Sequence, residues 1–307
     1  MKLSIGGHVL SALREKKPLV ALETALVTHG LPRPLNLETA VQLEEIVTQS
    51  GAVPCTIGVL NGEIIMGLNK SQLDALAMEE NPLKLGVREL PVAVAQKRSG
   101  GTTVAATAHL AHRYGIGVFA TGGIGGVHRG GENTFDISGD LPVLARTPVT
   151  VVASGAKAIL DLPLTLEYLE TAGITVGGYQ TNTLPAFYSA ASPYPLNLSF
   201  DSVEQVAQTA MSRDELGLQA AILLCNPVPG DSEIPWDELM AMIVNVDREI
   251  REEGVVGQDV TPQMLRRLFT LSDGRTLQAN LALLKENARL GAEIAQTLIS
   301  IRGKEHG

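Results

Sequence analysis

The stretch Val149-Thr-Val-Val-Ala-Ser154-Gly-Ala-Lys157-Ala-Ile-Leu-Asp161 joins an apolar run of strand length to a hydroxyl, a glycine and a cation. A run this short and this apolar suits a strand buried on both faces. Runs of the same kind occupy residues 19–23, 118–121 and 220–225, and with 150–153 they form the expected core strands. Segments of helical period lie between them, over residues 37–49 behind an Asn36 cap and over 102–114. Further helices are expected after Gly155, Ser202 and Pro235, with a long one over 276–302. Strands alternating with helices predict an α/β chain whose helices cover a largely parallel sheet. Asn61-Gly62, flanked by strand-like residues 55–60 and 63–67, is a strong hairpin signal and makes that sheet mixed.

A chain of 307 residues, 45% of them hydrophobic, can build one large core or two ordinary domains. There is no internal repeat, low-complexity tract or charged linker, and the proline-rich segments 31–35 and 193–195 read as ordered connections. A single domain over residues 1–307 is therefore expected. The formal charge of −9 argues against sequence-independent binding of nucleic acid, which needs a basic stripe to neutralise phosphates. Five Phe, five Tyr and one Trp leave little for base-stacking platforms. Cys55 and Cys225 are too few for a disulfide framework and lack C-x-x-C spacing. The uncharged stretch 171–200 is broken by glycines and prolines, so no membrane span is expected there. Without a secretory signal, the expected location is cytoplasmic.

Ligand sites in open α/β sheets gather where strands end. Leu19-Val-Ala-Leu-Glu23 ends in a carboxylate that desolvation could tune into a general acid, although a solvated carboxylate fits the same residues. Thr121-Gly-Gly-Ile-Gly-Gly-Val-His128-Arg129 has glycines that let backbone N–H groups approach an anion, with His128 and Arg129 adding donors. It has neither dinucleotide nor P-loop spacing. Asp136-Ile-Ser138-Gly139-Asp140 offers carboxylates for a hard cation, or a solvated turn. If Ser154 caps a helix, Lys157 falls in its first turn, where the dipole disfavours a cation and favours a neutral, nucleophilic amine. A lysine reaching to solvent fits equally. Lys84 and Arg88 precede Gly100-Gly-Thr102-Thr103, where a phosphate could sit, and Asn280 falls on the apolar face of the last helix.

Together, Ala21-Leu-Glu23-Thr, Thr28-His-Gly30, Thr102-Thr-Val104, Phe119-Ala-Thr-Gly-Gly-Ile-Gly-Gly-Val-His-Arg-Gly130, Thr134-Phe-Asp-Ile-Ser138, Gly155-Ala-Lys157 and Gly178-Tyr-Gln180 resemble the pseudouridine-5′-phosphate glycosidase family. This is also called the indigoidine synthase A family. The resemblance runs over about residues 17–295. It implies a three-layer α/β/α sandwich with a mixed, mostly parallel central sheet, assembled as a homotrimer and using Mn²⁺. The implied reaction is reversible cleavage of the C–C glycosidic bond of pseudouridine 5′-phosphate to uracil and ribose 5-phosphate. By the same resemblance Glu23 is the proton donor, Lys157 the covalent nucleophile and Asp136 the metal ligand. Lys84, Val104, Ser138, Gly139 and Asp140 match substrate-binding positions, and Thr121, His128 and Asn280 match other positions of the site. Thr24 and Ala25 stand where the family often has Ser-Thr. A Schiff-base lyase acting on a sugar phosphate, or a non-catalytic sensor, would use parts of the same pocket.

Overall fold

The structure, a computed structural model, describes residues 3–255 and 260–305. Short elements open the chain: β1 (Leu3–Ile5), α1 (Gly7–Arg14) and β2 (Leu19–Leu22), then a π-helical turn at Leu26–Gly30 and α2 (Leu35–Gln49). The hairpin β3 (Val53–Leu60) and β4 (Glu63–Met66) leads to α3 (Lys70–Met78), β5 (Leu83–Leu85), α4 (Leu90–Gln96) and β6 (Gly100–Thr102). Next come α5 (Val104–Arg113), β7 (Val118–Ala120), α6 (Gly131–Thr134), α7 (Asp140–Leu144), β8 (Thr150–Ala153) and α8 (Leu162–Thr171). The last part holds β9 (Thr175–Tyr179), β10 (Ser199–Phe200), α9 (Val203–Glu215), β11 (Ile222–Cys225), α10 (Trp236–Glu252), α11 (Val260–Leu271) and α12 (Arg275–Glu305).

The strands form one sheet in the order β1-β4-β3-β2-β7-β8-β11-β9-β10, with β6 joined to β3 and β5 to β6. Pairing between these strands is parallel except for β3 with β4 and with β6. All residues of β2, β7, β8 and β11 are buried, as their unbroken apolar sequence required. Helix α12 lies across β2, β7 and β8, with α2 and α9 packed against it, while α5 covers β2 and β7 and packs on α7. The arrangement is the expected three-layer α/β/α sandwich around a mixed, mostly parallel sheet. Asn61 and Gly62 both take positive φ, and Leu60 pairs with Glu63, so the two-residue hairpin forms as its sequence predicts.

Strand β3 changes partners along its length. Residues 53–56 run parallel to β2, and 57–60 turn away to pair with β4. The Ile57 carbonyl at the change-over accepts the hydroxyls of Thr24 (2.6 Å) and Thr102 (2.7 Å), and Thr107 donates to the Thr102 hydroxyl at 2.9 Å. All three threonines are fully buried, so Thr102 holds the sheet together and cannot face a phosphate.

Two helix starts differ from expectation. Helix α2 begins at Leu35 with Pro34 at its N-cap, and Asn36 points inward instead of capping. Its amide donates to the carbonyls of Val27 at 2.7 Å and Ala77 at 3.4 Å, tying α2 to the π turn and to α3. Helix α5 starts at Val104 because Thr102 is still engaged in β6.

Candidate active site

Strands β2, β7 and β8 are parallel neighbours, so the residues that follow them emerge at one edge of the sheet. Glu23 follows β2, Thr121 follows β7, and Ser154 to Lys157 follow β8. Glu23 is half-buried and accepts a short hydrogen bond from the Thr121 hydroxyl. Burial raises its pKa above the ordinary glutamate value. The Lys157 ammonium opposes this most strongly, followed by the Thr121 bond, while Asp140 adds to the rise and Lys84 works weakly against it. Glu23, Thr121, Lys157, Lys84 and Asp140 therefore share one electrostatic neighbourhood.

Lys157 reaches that place by a route the sequence did not suggest. No helix follows Ser154; α8 begins at Leu162, capped by Asp161, whose side chain accepts from the Leu164 N–H at 3.0 Å. The dipole argument for Lys157 fails with the helix it required. Gly155 takes φ +76°, and a Cβ there would lie 2.2 Å from the Pro185 carbonyl oxygen, so the chain breaks direction before Lys157. The loop is then pinned, with the Lys157 N–H donating to Ile124 at 3.1 Å and the Asp161 N–H to Val127 at 2.9 Å. Lys157 is half-buried between Ala156 and Ala158, both buried.

The glycine run forms a ribbon partly bonded within the protein. Its N–H groups at Ile124, Val127 and His128 donate to Gly155, to the Thr165 hydroxyl and to Asp136. The N–H of Gly125 donates to Asp140 Oδ2 at 2.8 Å, and Asp140 Oδ1 accepts from Ala105 at 2.9 Å, in the first turn of α5. Asp140 is buried, and both its oxygens bond backbone donors. It clips the glycine ribbon to α5, which places Val104 beside the clip. A Cβ on Gly125 would come within 2.2 Å of Ser138 Oγ, so only glycine allows the approach. Ser138 bonds back to the ribbon through its N–H to Gly126 at 2.9 Å, and its hydroxyl accepts from the Asp140 N–H at 3.2 Å. Gly139 is exposed at the start of α7. Asp136 and Asp140 thus share no helical face. Arg129 bonds the Ile159 carbonyl at 3.2 Å, and Thr103 bonds that of Leu85 at 3.1 Å, so both have structural partners.

Lys84 lies opposite Gly101 on β5 and is exposed, yet desolvation and then the Lys157 charge lower its pKa, against Asp140 and Glu23. His29, in the π turn after Glu23, is lowered by desolvation and by Lys84. Sequence reading had left His29 unassigned. His128 and Asp136 face each other at 3.9 Å, with Asp136 half-exposed. Among the described residues no three His, Cys, Asp or Glu side chains gather in a way that could hold a metal. Asp136 is an exposed carboxylate, the oxygen donor type a hard cation takes. Asn280 is half-buried on α12. The fully buried amide of that helix is Asn287, two turns further on the same face, a spacing that could have drawn attention to it.

The profile of the family described as indigoidine synthase A like protein matches residues 8–297. The chain belongs to that family. A pseudouridine-5′-phosphate glycosidase of Geobacillus kaustophilus is 48% identical over 291 residues, covering 95% of this chain and 97% of that protein. Among solved structures, the prealnumycin C-glycosynthase AlnA in complex with ribulose 5-phosphate superposes with a TM-score of 0.93. It is 36% identical and covers 99% of each chain. An indigoidine synthase A-like protein of Thermotoga maritima reaches a TM-score of 0.88 at 38% identity, covering 97% of each chain. Within this indigoidine synthase A-like chain, no helix among the described residues is long and apolar enough to cross a membrane.

Proposed function

We propose that the protein cleaves the C–C glycosidic bond of pseudouridine 5′-phosphate reversibly, giving uracil and ribose 5-phosphate. The observation that carries this reading is the placing of Glu23 and Lys157 beyond β2 and β8, the two strands that flank β7, with the Lys157 charge acting on Glu23. The full-length likeness to a pseudouridine-5′-phosphate glycosidase supports the substrate. A C-glycoside has no heteroatom leaving group, so the departing uracil carbon must gain a proton while C1′ gains a nucleophile. Common glycosidases use two carboxylates for such work. Here one carboxylic acid and one amine divide it.

Moving one proton from Lys157 to Glu23 gives the reactive pair, and burial of Glu23 favours the acid form that this transfer produces. Glu23 then protonates the uracil carbon as the C–C bond breaks, and the Lys157 amine bonds to C1′. Opening of the ribose ring leaves an imine, which water hydrolyses to release ribose 5-phosphate and restore the amine. Lys84, exposed at the same edge, is suited to the phosphate, with Val104, Ser138, Gly139, Asp140, Thr121, His128 and Asn280 shaping the pocket around the substrate. Asp136 would hold Mn²⁺, with His128 beside it; the ion would supply positive charge to position the substrate. The reading extends to one domain, supported by the single sheet that carries every strand end named above. On family resemblance it extends to a cytoplasmic homotrimer.

The test incubates the protein with uracil, ribose 5-phosphate and Mn²⁺, follows products by mass spectrometry and adds borohydride. Pseudouridine 5′-phosphate and a reduced adduct on Lys157 are expected. Absence of that product sinks the reaction, and an adduct on another lysine sinks the mechanism.

A further inference from the structure

The carboxamide of Asn287 joins three strand ends. Its Nδ2 donates to the Thr121 carbonyl at 2.8 Å and to Ser154 Oγ at 3.2 Å, and its Oδ1 accepts from Asn226 Nδ2 at 2.9 Å. Thr121 follows β7, Ser154 follows β8, and Asn226 follows β11, with its own N–H bonded to Ala153 at 2.8 Å. Asn287 is fully buried, as is Ser154, and Asn226 is nearly so. Both amide protons and the amide oxygen are used. A side chain bonded in this way has one orientation, and it transmits that orientation to whatever it holds.

We propose that Asn287 is a positioning residue for the reaction, fixing the Thr121 backbone so that its hydroxyl meets Glu23, and fixing the Ser154 turn from which Lys157 extends. The proposal rests on the function argued above, but its geometry does not. The Thr121 carbonyl and hydroxyl belong to one residue, so the bond to Asn287 on one side and the bond to Glu23 on the other are set by the same backbone position. Just past β8 the Ser154 carbonyl also accepts from the Phe187 N–H at 2.9 Å, and Phe187 takes a positive φ. The Ser154 turn is thus held from two directions before Gly155 redirects the chain.

The groups facing Glu23 are the Thr121 hydroxyl from the end of β7, Lys157 from beyond β8, Lys84 from β5 and Asp140 from α7. Of these, only Thr121 and the loop bearing Lys157 hang directly on Asn287. If Asn287 lets go, Glu23 loses a bond that favours its ionised form and becomes harder to ionise.

The experiment compares wild type, Asn287→Leu and Ser154→Ala by steady-state cleavage of pseudouridine 5′-phosphate with Mn²⁺ across pH, and by ¹³C NMR titration of labelled glutamate carboxyls. The Glu23 signal is identified by its loss in Glu23→Gln. In Asn287→Leu kcat should fall at least about tenfold with KM within about twofold, because an interaction that orients reacting groups is lost rather than uniform binding. The Glu23 titration should move up by about one pH unit, the size of one hydrogen bond to a charged group. Ser154→Ala removes one hydroxyl and leaves the Thr121 bond, so it should move both readouts in the same direction but less. If either variant folds with the Glu23 titration and kcat unchanged, Asn287 is only a packing residue. If wild type turns over no pseudouridine 5′-phosphate, the proposed function fails, while the NMR titration, which needs no substrate, still decides whether Asn287 positions Glu23.

Discussion

Replacing Asp140 separates a structural clip from a substrate contact. In Asp140→Ala the N–H groups of Ala105 and Gly125 lose their acceptors, and Ala105 is buried. Each hydrogen bond to a charged acceptor contributes about 1.5–3 kcal/mol. Gly125 is only half-buried, and water can partly replace its partner, so the low end applies and the pair amounts to about 3 kcal/mol. For a chain of this size, about 2 °C of Tm accompanies each kcal/mol, so a loss of about 6 °C is expected. Asp140→Asn keeps one acceptor oxygen and presents an amide to the other N–H, and should lose about half as much. Thermal melts followed by circular dichroism measure this, alongside kcat and KM for pseudouridine 5′-phosphate. Since the clip anchors the glycine ribbon, kcat should fall with Tm. A Tm changed by less than about 1 °C, together with a large rise in KM, would refute the clip and return Asp140 to direct substrate binding.

Four further outcomes are expected. Glu23→Gln should abolish cleavage yet gain stability over wild type as pH rises. The native pKa of Glu23 is raised, so the stability it contributes is full below the unfolded carboxyl pKa and is lost as pH climbs through the native value. Glu44 is raised for the same reason, burial acting against its bond from Thr56, and Glu44→Gln should show the same trend in Tm across pH with turnover intact. Gly155→Ala should cost about 2 kcal/mol or more, because φ is +76° and the new Cβ would meet the Pro185 carbonyl at 2.2 Å; a denaturant melt that matches wild type would contradict this. Chelation should remove activity and Mn²⁺ restore it, and Asp136→Asn should weaken ion binding as read by the electron spin resonance of free Mn²⁺.

The sequence was most informative where burial on both faces left a mark in one short stretch. Residues 150–153 form β8 as expected, and 220–225 contain β11. The Asn61-Gly62 turn was equally plain, because a two-residue turn with positive φ restricts which residues it accepts. Reading stopped where the deciding partner lies far along the chain. Asn36 has the composition of a cap, but it turns inward because the carbonyls of Val27 in the π turn and of Ala77, 41 residues away, accept its amide. Asp140 reads from spacing as either a cation ligand or part of a solvated turn, and its clip is not legible because the N–H groups it satisfies, 15 and 35 residues distant, leave no local trace. The helix expected after Ser154 was misread because spacing shows that a cap is possible without showing that Gly155 will adopt a left-handed turn. Glu23 and Lys157 stand out through family motifs, and the strand order then explains why residues so far apart in sequence emerge at one edge of the sheet.

The position of α12 has a consequence for how the molecule comes into being. This helix lies across β2, β7 and β8 and supplies Asn287 to the ends of β7 and β8. Asn287 lies 166 residues from Thr121 and 133 from Ser154 along the chain, so the ends of β7 and β8 are joined by contacts of long sequence separation, which form slowly because large loops must close first. Until α12 docks, the ends of β7 and β8 lack the buried amide that joins them.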